Sequence, residues 1–315
     1  MLEGVLYLQL IGRCTMRLTE ATRPNTFSST VKDFLQLTKF RLAVSVVISS
    51  LAGYLLAVEV LEWHIVSYLF LGGYAMVGAS NAFNQWMEKD LDALMQRTHN
   101  RPLPSGRMQT STALIIASGL TLLGILILGL INFRTAFFGA LSIFIYVCVY
   151  TPLKRKTPLA VFVGAFPGAI PFMLGWVAAT NRFGIEPGLL FMIQFLWQFP
   201  HFWAIGWVLN EDYKKAGFKL LPSGETDRIT AFQIVFYTLW VVVVSLVPTF
   251  HYTGKLQLSL VSALLIGFIG LVMLYFAMKL MQQKTKKAAQ QLIGVSILYI
   301  TALQIIYVID KYVTL

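Results

Sequence analysis

Charged residues are scarce in this sequence, and that scarcity excludes a soluble globular protein. Only 12% of the 315 residues are charged, whereas 57% are hydrophobic. About a quarter of the residues in a soluble domain are charged, so this chain has too few charged residues to cover a water-facing surface. The formal net charge of +11 is no evidence for a nucleic-acid partner, because the charges are confined to short segments between apolar runs. No such partner is expected. A lipid bilayer is the predicted environment.

Cysteines are few, and several catalytic patterns are missing. Cys14 lies in a polar N-terminal tract and Cys148 in an apolar run, so we expect two free thiols rather than a disulfide. The sequence has no Cys/His spacing typical of zinc, no nucleotide-binding glycine loop and no nucleophile elbow. The polar residues that flank the apolar runs are therefore the candidates for chemistry.

The apolar runs predict one membrane domain, residues 38–315, after a partly disordered cytoplasmic segment, residues 1–37. Residues 1–10 are a poor signal peptide, since no basic region precedes them, and Met16 is an equally good start. A bilayer core of about 30 Å needs about 20 mainly apolar residues in a helix. Counting such runs predicts an all-α polytopic membrane protein with nine transmembrane helices. They are placed at 41–60, 64–86, 111–131, 134–152, 158–180, 188–209, 229–250, 257–279 and 290–309.

The basic residues predict how these helices are oriented. If the N-terminus is cytoplasmic, all of the 25 Lys and Arg residues lie on that side except Arg134, Arg182, Lys255 and Lys311. Membrane proteins keep an excess of basic residues in their cytoplasmic loops. We therefore expect a cytoplasmic N-terminus and an external C-terminus.

A row of oxygen-bearing side chains follows the second predicted span. Asn84, Glu88 and Asp92 recur every four residues, so on a helix they share one face over about 12 Å. Such a row suits Mg²⁺, which takes oxygen ligands and commonly joins carboxylates to substrate phosphates. A solvated helix end, with Lys89 and Arg97 as ion-pair partners, explains the same spacing equally well.

The loop that follows this row offers groups for binding phosphate. The guanidinium groups of Arg97 and Arg101 can each donate several hydrogen bonds to phosphate oxygens. Lys154 and Arg155, after the fourth span, add two more positive charges on the same side. Ordinary positive-inside loop charge is the competing interpretation of all four residues.

A second acidic site and a histidine belong to the sixth span and its loop. Glu211 and Asp212 follow this span and are candidates for a second metal site, with pairing to Lys214 and Lys215 as the alternative. His201 lies within the span, where an ionisable residue is a functional hypothesis by default. Packing against a neighbouring helix through one hydrogen bond is an equally good explanation of His201.

Together these motifs resemble the UbiA-type intramembrane prenyltransferases. Residues 84–92 are similar to the first asparagine and aspartate motif of the family, and residues 150–154, YTPLK, are similar to its tyrosine-x-x-x-lysine element. The stretches RTHNRPL at 97–103 and WQFPH at 197–201 resemble the branch that farnesylates protohaem. The resemblance extends over residues 38–309.

The resemblance implies a fold, a reaction and a set of site residues. It implies nine helices around a central cavity open to lipid, with farnesyl diphosphate bound through Mg²⁺ at the cytoplasmic end. Diphosphate then leaves, a vinyl carbon of protohaem IX attacks the allylic cation, and water captures the resulting cation. A downstream haem-modifying enzyme is a further partner to expect. The implied catalytic residues are Asn84, Glu88, Asp92 and Asp212; the metal ligands are these four with Glu211; the diphosphate is bound by Arg97, Arg101, Lys154 and Arg155; and the haem pocket holds His201, Trp197 and Tyr150.

The sequence departs from the family pattern at three places and leaves two other functions open. Glu88 stands where aspartate is usual, Ala216 stands where the second motif has a further acid, and Phe40 replaces a proline, which leaves the roles of Lys39 and Arg41 open. Prenylation of a quinone precursor or another aromatic acceptor is the alternative within the family. A membrane transporter is the alternative from another class, because broken helices and polar residues within the spans also occur there.

Overall fold

The computed structural model describes residues 27–314, and this part of the chain contains helices and no strand. The predicted disorder and the alternative start at Met16 lie outside the described residues, as does Cys14. Within the described range Cys148 is free and exposed. The helices are α1 Phe27–Leu37, α2 Phe40–Ala57, α3 Trp63–Met87, α4 Lys89–Asp92, α5 Thr110–Gly129, α6 Phe133–Phe144, α7 Thr151–Leu153, α8 Leu159–Thr180, α9 Ile185–Val208, α10 Asn210–Lys215, α11 Arg228–Ser245, α12 Leu260–Gln283 and α13 Lys286–Thr314, with a π-helical turn at Ile145–Tyr150 joining α6 to α7 and a 3₁₀ turn at Val247–Phe250.

The predicted all-helical membrane architecture is confirmed. Among the described residues, eight helices are long and apolar enough to cross a membrane. The remaining predicted span corresponds to α9, which has 24 residues and so the length to cross, but whose average hydropathy is reduced by Gln194, Gln198 and His201. Gln194, Gln198 and His201 are all buried within α9.

The helices pack as two groups that share α8. One group consists of α2, α3, α5, α6 and α8, and the other of α8, α9, α11, α12 and α13. Helix α8 is the most buried of the eight apolar spans, with 67% of its central window inside the protein. Most of α8 is therefore in contact with other helices rather than with lipid.

Close packing around α8 depends on glycine. A Cβ at Gly175 would lie 1.8 Å from the carbonyl oxygen of Ser50, and one at Gly53 would lie 2.0 Å from that of Phe172. Small residues let membrane helices approach to backbone contact. Pro171 removes a helix donor four residues after Pro167, and Ser142 Oγ donates to the freed Pro167 carbonyl at 3.4 Å. Helix α8 is therefore packed closely against α2, and α6 satisfies one of the carbonyls that its prolines leave free.

Two cavities lie between these helices. A narrow apolar slot of about 40 Å³ lies between α2, α3, α6 and α8 and is lined by residues such as Val47, Met76 and Ile170. A wider cavity of about 350 Å³ lies between α8, α9 and α11, with Phe199 and Tyr237 among its walls. Val77 and Ser80, which line the slot, are each four residues before Asn81 and Asn84 on α3. The slot therefore lies one helical turn away from these two amides.

Candidate active site

Three loops meet at one end of the bundle, and they are the loops in which the sequence concentrates its polar motifs. The backbone N–H of Lys219, beyond α10, donates to the carbonyl of Lys154, beyond α7, at 2.7 Å. Asp212, on α10, accepts hydrogen bonds from the backbone N–H groups of Gln96 and Arg97, in the loop after α4. The segments that follow α4, α7 and α10 therefore form one continuous surface.

Glu88 and Lys154 form a buried ion pair at this end of the bundle. Lys154 Nζ lies 3.0 Å from Glu88 Oε1 and 3.1 Å from Oε2. Asn84 Nδ2 donates to Glu88 Oε2 at 2.7 Å, as the four-residue spacing predicts. The two charged side chains are only 7% and 9% exposed, for Glu88 and Lys154 respectively. Charges so well buried are costly unless they are paired, so this pair is held in a defined geometry.

Asp92 is the second buried carboxylate of the predicted row. Although Glu88 ends α3, the backbone N–H of Asp92 still bonds to the Glu88 carbonyl at 2.7 Å, which keeps Asp92 in helical register. Asp92 Oδ2 accepts from Arg101 Nη1 at 2.7 Å. Asp92 Oδ1 is buried and has no hydrogen-bond partner among the described residues. Buried polar atoms are normally satisfied, so this oxygen is available to a ligand.

Lys39 is a site residue whose role the sequence left open. It precedes α2 with a left-handed backbone, φ 49°, and its ammonium group faces the charges of Arg101, Lys154 and Arg97. Burial and repulsion by these three cations lower the pKa of Lys39 to about 7. Four basic side chains that converge on one place indicate an anion-binding site. The only sequence signal was the pair of basic residues directly before an apolar run.

Asp212 lies at the edge of this surface and Glu211 is exposed. Partial burial raises the pKa of Asp212, but the hydrogen bond and charge of Lys215, with the amides of Gln96 and Arg97, outweigh it and lower the pKa below its ordinary value. Asp212 is thus held as a carboxylate facing the loop of the first motif. Arg97 and Arg155 are exposed at the rim of the surface.

The predicted magnesium ligands are not gathered into one protein cage. Among the residues that the structure describes, no three His, Cys, Asp or Glu side chains come close enough together to hold a metal ion. Mg²⁺ usually binds one or two carboxylates together with substrate phosphates and water. The free Asp92 Oδ1 fits that mode, in which the phosphate completes the ligand set.

The predicted haem-pocket residues fall in two places. Trp197 and His201 stack on one face of α9 with ring centroids 4.7 Å apart, and His201 Nδ1 lies 2.8 Å from Ser296 Oγ on α13. Tyr150 instead lies beside the charged surface, because Lys154 Nζ is 4.7 Å from the centre of its ring. In the structure Tyr150 therefore lies beside the residues predicted to bind diphosphate, whereas Trp197 and His201 lie between α9 and α13.

Two amides of α3 have structural partners. Asn81 Nδ2 donates to the carbonyl of Thr38 at 3.3 Å, and Gln85 Nε2 donates to that of Leu37 at 2.8 Å. Both bonds attach the turn between α1 and α2 to α3. They position Lys39, which follows Thr38, at the charged surface.

Comparison with known proteins places the chain in a family. The model of the UbiA prenyltransferase family matches residues 46–301. The chain belongs to this family. It is 60% identical over 289 residues to a protoheme IX farnesyltransferase of Christiangramia forsetii, an alignment that covers 92% of this chain and 96% of the relative. A protein of the same name from Cytophaga hutchinsonii is 42% identical over 288 residues, covering 90% of this chain and 99% of the relative.

Solved structures of more distant proteins share the UbiA fold. A digeranylgeranylglyceryl phosphate synthase superposes with a TM-score of 0.74 at 18% identity, covering 89% of this chain and 98% of the other. A UbiA homologue from Archaeoglobus fulgidus, bound to GPP and Mg²⁺, superposes with a TM-score of 0.63 at 14% identity, covering 87% of this chain and 99% of the other. The predicted family and fold are therefore confirmed.

Proposed function

We propose that this protein transfers the farnesyl group of farnesyl diphosphate to a vinyl group of protohaem IX, giving haem O. The observation that carries the proposal is the 60% identity, over nearly the whole chain, to relatives named protoheme IX farnesyltransferase. The charged surface supports it, because a family of prenyltransferases needs a site that binds diphosphate and assists its departure.

The two buried ion pairs are proposed to bind the diphosphate and its metal. Glu88 and Asp92 pair with Lys154 and Arg101 in the structure. With substrate present, the carboxylates and Asn84 would turn to Mg²⁺ and the two cations to phosphate oxygens. Asp212 and Glu211 are proposed as ligands from the opposite loop, and Lys39, Arg97 and Arg155 as further phosphate contacts. Bound Mg²⁺ supplies positive charge that stabilises the leaving diphosphate.

We propose that the isoprenoid chain enters between α2, α3, α6 and α8, where the slot of about 40 Å³ would have to widen to hold fifteen carbons. The slot is apolar and lies directly below the oxygen-bearing face of α3. The rings of Tyr146 and Tyr150, with centroids 5.1 Å apart, lie beside Lys154, so their faces can stabilise an allylic cation next to the diphosphate. The hydrocarbon surroundings keep water from the cation until the acceptor has reacted.

The reaction balances with water as the third reactant. The bond between C1 of the farnesyl group and oxygen breaks, and the electron pair leaves with the diphosphate. The vinyl carbon of protohaem forms the new carbon–carbon bond, water adds to the resulting cation, and one proton is released. His201 and Trp197 are proposed to line the porphyrin site and Tyr150 the junction of the two substrates.

The charge distribution supports an orientation in the membrane. The charged surface carries the basic loops, which in membrane proteins remain in the cytoplasm. We propose that it faces the cytoplasm, with the N-terminus on that side and the C-terminus outside. The product would then be available within the bilayer to an enzyme that modifies haem further.

The direct test is incubation of the purified protein with protohaem, farnesyl diphosphate and Mg²⁺, followed by mass spectrometry of the porphyrins. Haem O and one equivalent of diphosphate are expected. Prenylation of a quinone precursor or another aromatic acceptor, with no haem O, would overturn the assigned acceptor. Solute uptake into proteoliposomes without diphosphate release would indicate a transporter.

A further inference from the structure

Ser296 is a buried hydroxyl on α13 that holds both rings of α9. Its side chain is 0% exposed. Its Oγ lies 2.8 Å from His201 Nδ1, and its backbone carbonyl accepts from Trp197 Nε1 at 2.6 Å. One residue of α13 thus fixes two side chains that lie one helical turn apart on α9.

The hydrogen bonds of Ser296 determine which nitrogen of His201 carries the proton. The Ser296 hydroxyl donates its single hydrogen to the carbonyl of Ile293 at 2.8 Å. Only lone pairs of Oγ then remain for the imidazole, so His201 Nδ1 is the donor in the bond between them. A neutral imidazole that donates from Nδ1 keeps a lone pair on Nε2.

The plane of the imidazole is fixed as well. His201 and Trp197 are stacked with an interplanar angle of 17°, and Phe202 meets the imidazole edge-on at a centroid distance of 5.6 Å. Because Trp197 is itself anchored to Ser296, the stack cannot turn without breaking a hydrogen bond. Within the described part of the chain, His201 forms its hydrogen bond through Nδ1 and none through Nε2.

We infer that Nε2 of His201 ligates the iron of protohaem and that Ser296 is the residue that positions it. The inference rests on the proposed function, which brings a haem to this protein. A histidine ligand of a metal characteristically donates its other N–H to a fixed acceptor, which sets the tautomer and the ring orientation. The Ser296–His201–Trp197 arrangement has that form.

The ligation is tested by the optical spectrum of protohaem bound to the full-length protein in detergent or nanodiscs. The wild type is expected to give the bands of a histidine-ligated haem. His201→Gly is expected to lose them, and added imidazole to restore them. Ser296→Ala retains His201 as the ligand but removes the acceptor that fixes the proton on its Nδ1. We therefore expect haem affinity to fall about tenfold and the KM for haem to rise. The KM for farnesyl diphosphate should be unchanged. Ser296→Thr, which retains a hydroxyl, is expected to restore both values.

Thr238→Ala is the matched control, because Thr238 is a buried hydroxyl on α11 that donates only to its own helix at Ile234. It should bind haem as the wild type does. A histidine-ligated spectrum in His201→Gly without imidazole, from a protein that makes haem O, would overturn the inference and leave the proposed function intact. Haem affinity in Ser296→Ala equal to that of the wild type would overturn the positioning role. Absence of haem O from the wild type would instead overturn the proposed function.

Discussion

Two polar regions of this protein differ in how their side chains are paired. The charged surface consists of ion pairs, Glu88 with Lys154 and Asp92 with Arg101, and has Lys39 as an additional cation. The group formed by Trp197, His201 and Ser296 contains no ion pair and is held by hydrogen bonds and ring stacking. The first can exchange its internal partners for ions from outside, whereas the second has a fixed orientation. The two arrangements suit a charged leaving group and a neutral acceptor, respectively.

The largest effect that separates the two regions is expected from metal removal. Chelation of Mg²⁺ with EDTA should reduce haem O formation to background, because the charge of the leaving diphosphate is then no longer neutralised. The spectrum of bound protohaem should not change, since the group around His201 requires no added metal. Activity is measured by mass spectrometry and haem binding by absorbance. Restoration of activity by Mg²⁺ is the control, and full activity in EDTA would contradict the metal role.

Asp92→Asn should give the next largest effect, a loss of about 100-fold in kcat/KM. The substitution removes the carboxylate that bears the unpaired Oδ1 and leaves Arg101 without its partner. Membrane insertion should be normal, because Asp92 lies outside the apolar spans. Asp90→Asn is the matched control, since Asp90 is an exposed acid of the same short helix. If both variants retained activity, Asp92 would have no part in the reaction.

Lys39 should make the binding of farnesyl diphosphate dependent on pH. Its pKa of about 7 in the free protein means that Lys39 is mostly neutral above that pH. A bound diphosphate raises the pKa, so binding above pH 7 takes up a proton, and the KM for farnesyl diphosphate should rise with pH by up to about tenfold per unit. Below pH 7 Lys39 is already charged, so its contribution to the pH dependence disappears.

Lys39→Arg should abolish this dependence, because arginine stays protonated throughout the range. Lys286→Arg, at an exposed lysine of α13, should leave it unchanged. The measurement is the KM for each substrate between pH 6 and about 9. The same rise in Lys39→Arg as in the wild type would assign the pH dependence to another group.

Trp197→Phe should have the smallest effect and should act on haem alone. The variant keeps a ring against His201 but loses the hydrogen bond from Nε1 to Ser296. One such bond contributes about 1 kcal/mol, which corresponds to roughly a fivefold weaker binding of haem. Trp240→Phe, at an exposed tryptophan of α11, is the control. An equal rise in the KM for farnesyl diphosphate would show that the two regions are not separate.

The sequence predicted local relationships better than distant ones. Helical spacing predicted that Asn84 and Glu88 would lie together, and hydropathy predicted the long helices. It did not predict that Lys154 pairs with Glu88 and Arg101 with Asp92, because those partners depend on how loops far apart in sequence pack. For the same reason the role of Lys39 stayed open and Ser296 was missed. Lys39 precedes α2 and Ser296 lies on α13. These helices meet α3 and α9, respectively, only in the folded protein.

The prediction for Tyr150 shows the same limit. The resemblance to the family implied that Tyr150 and His201 share the haem pocket. In the structure the ammonium group of Lys154, four residues further along the chain, lies over the Tyr150 ring, and the ring packs against Gly164 of α8. His201 is placed by α13 instead. A sequence indicates which residues share a helix face, but the neighbour that this face meets is a property of the fold.

The central claim is that the diphosphate binds between the loops that follow α3 and α9. A structure of the protein with Mg²⁺ and a non-cleavable analogue of farnesyl diphosphate tests it most directly. The account predicts the diphosphate beside Lys39, Arg101 and Lys154, with a magnesium ion between it and Asp92. A diphosphate at any other place on the protein would contradict it.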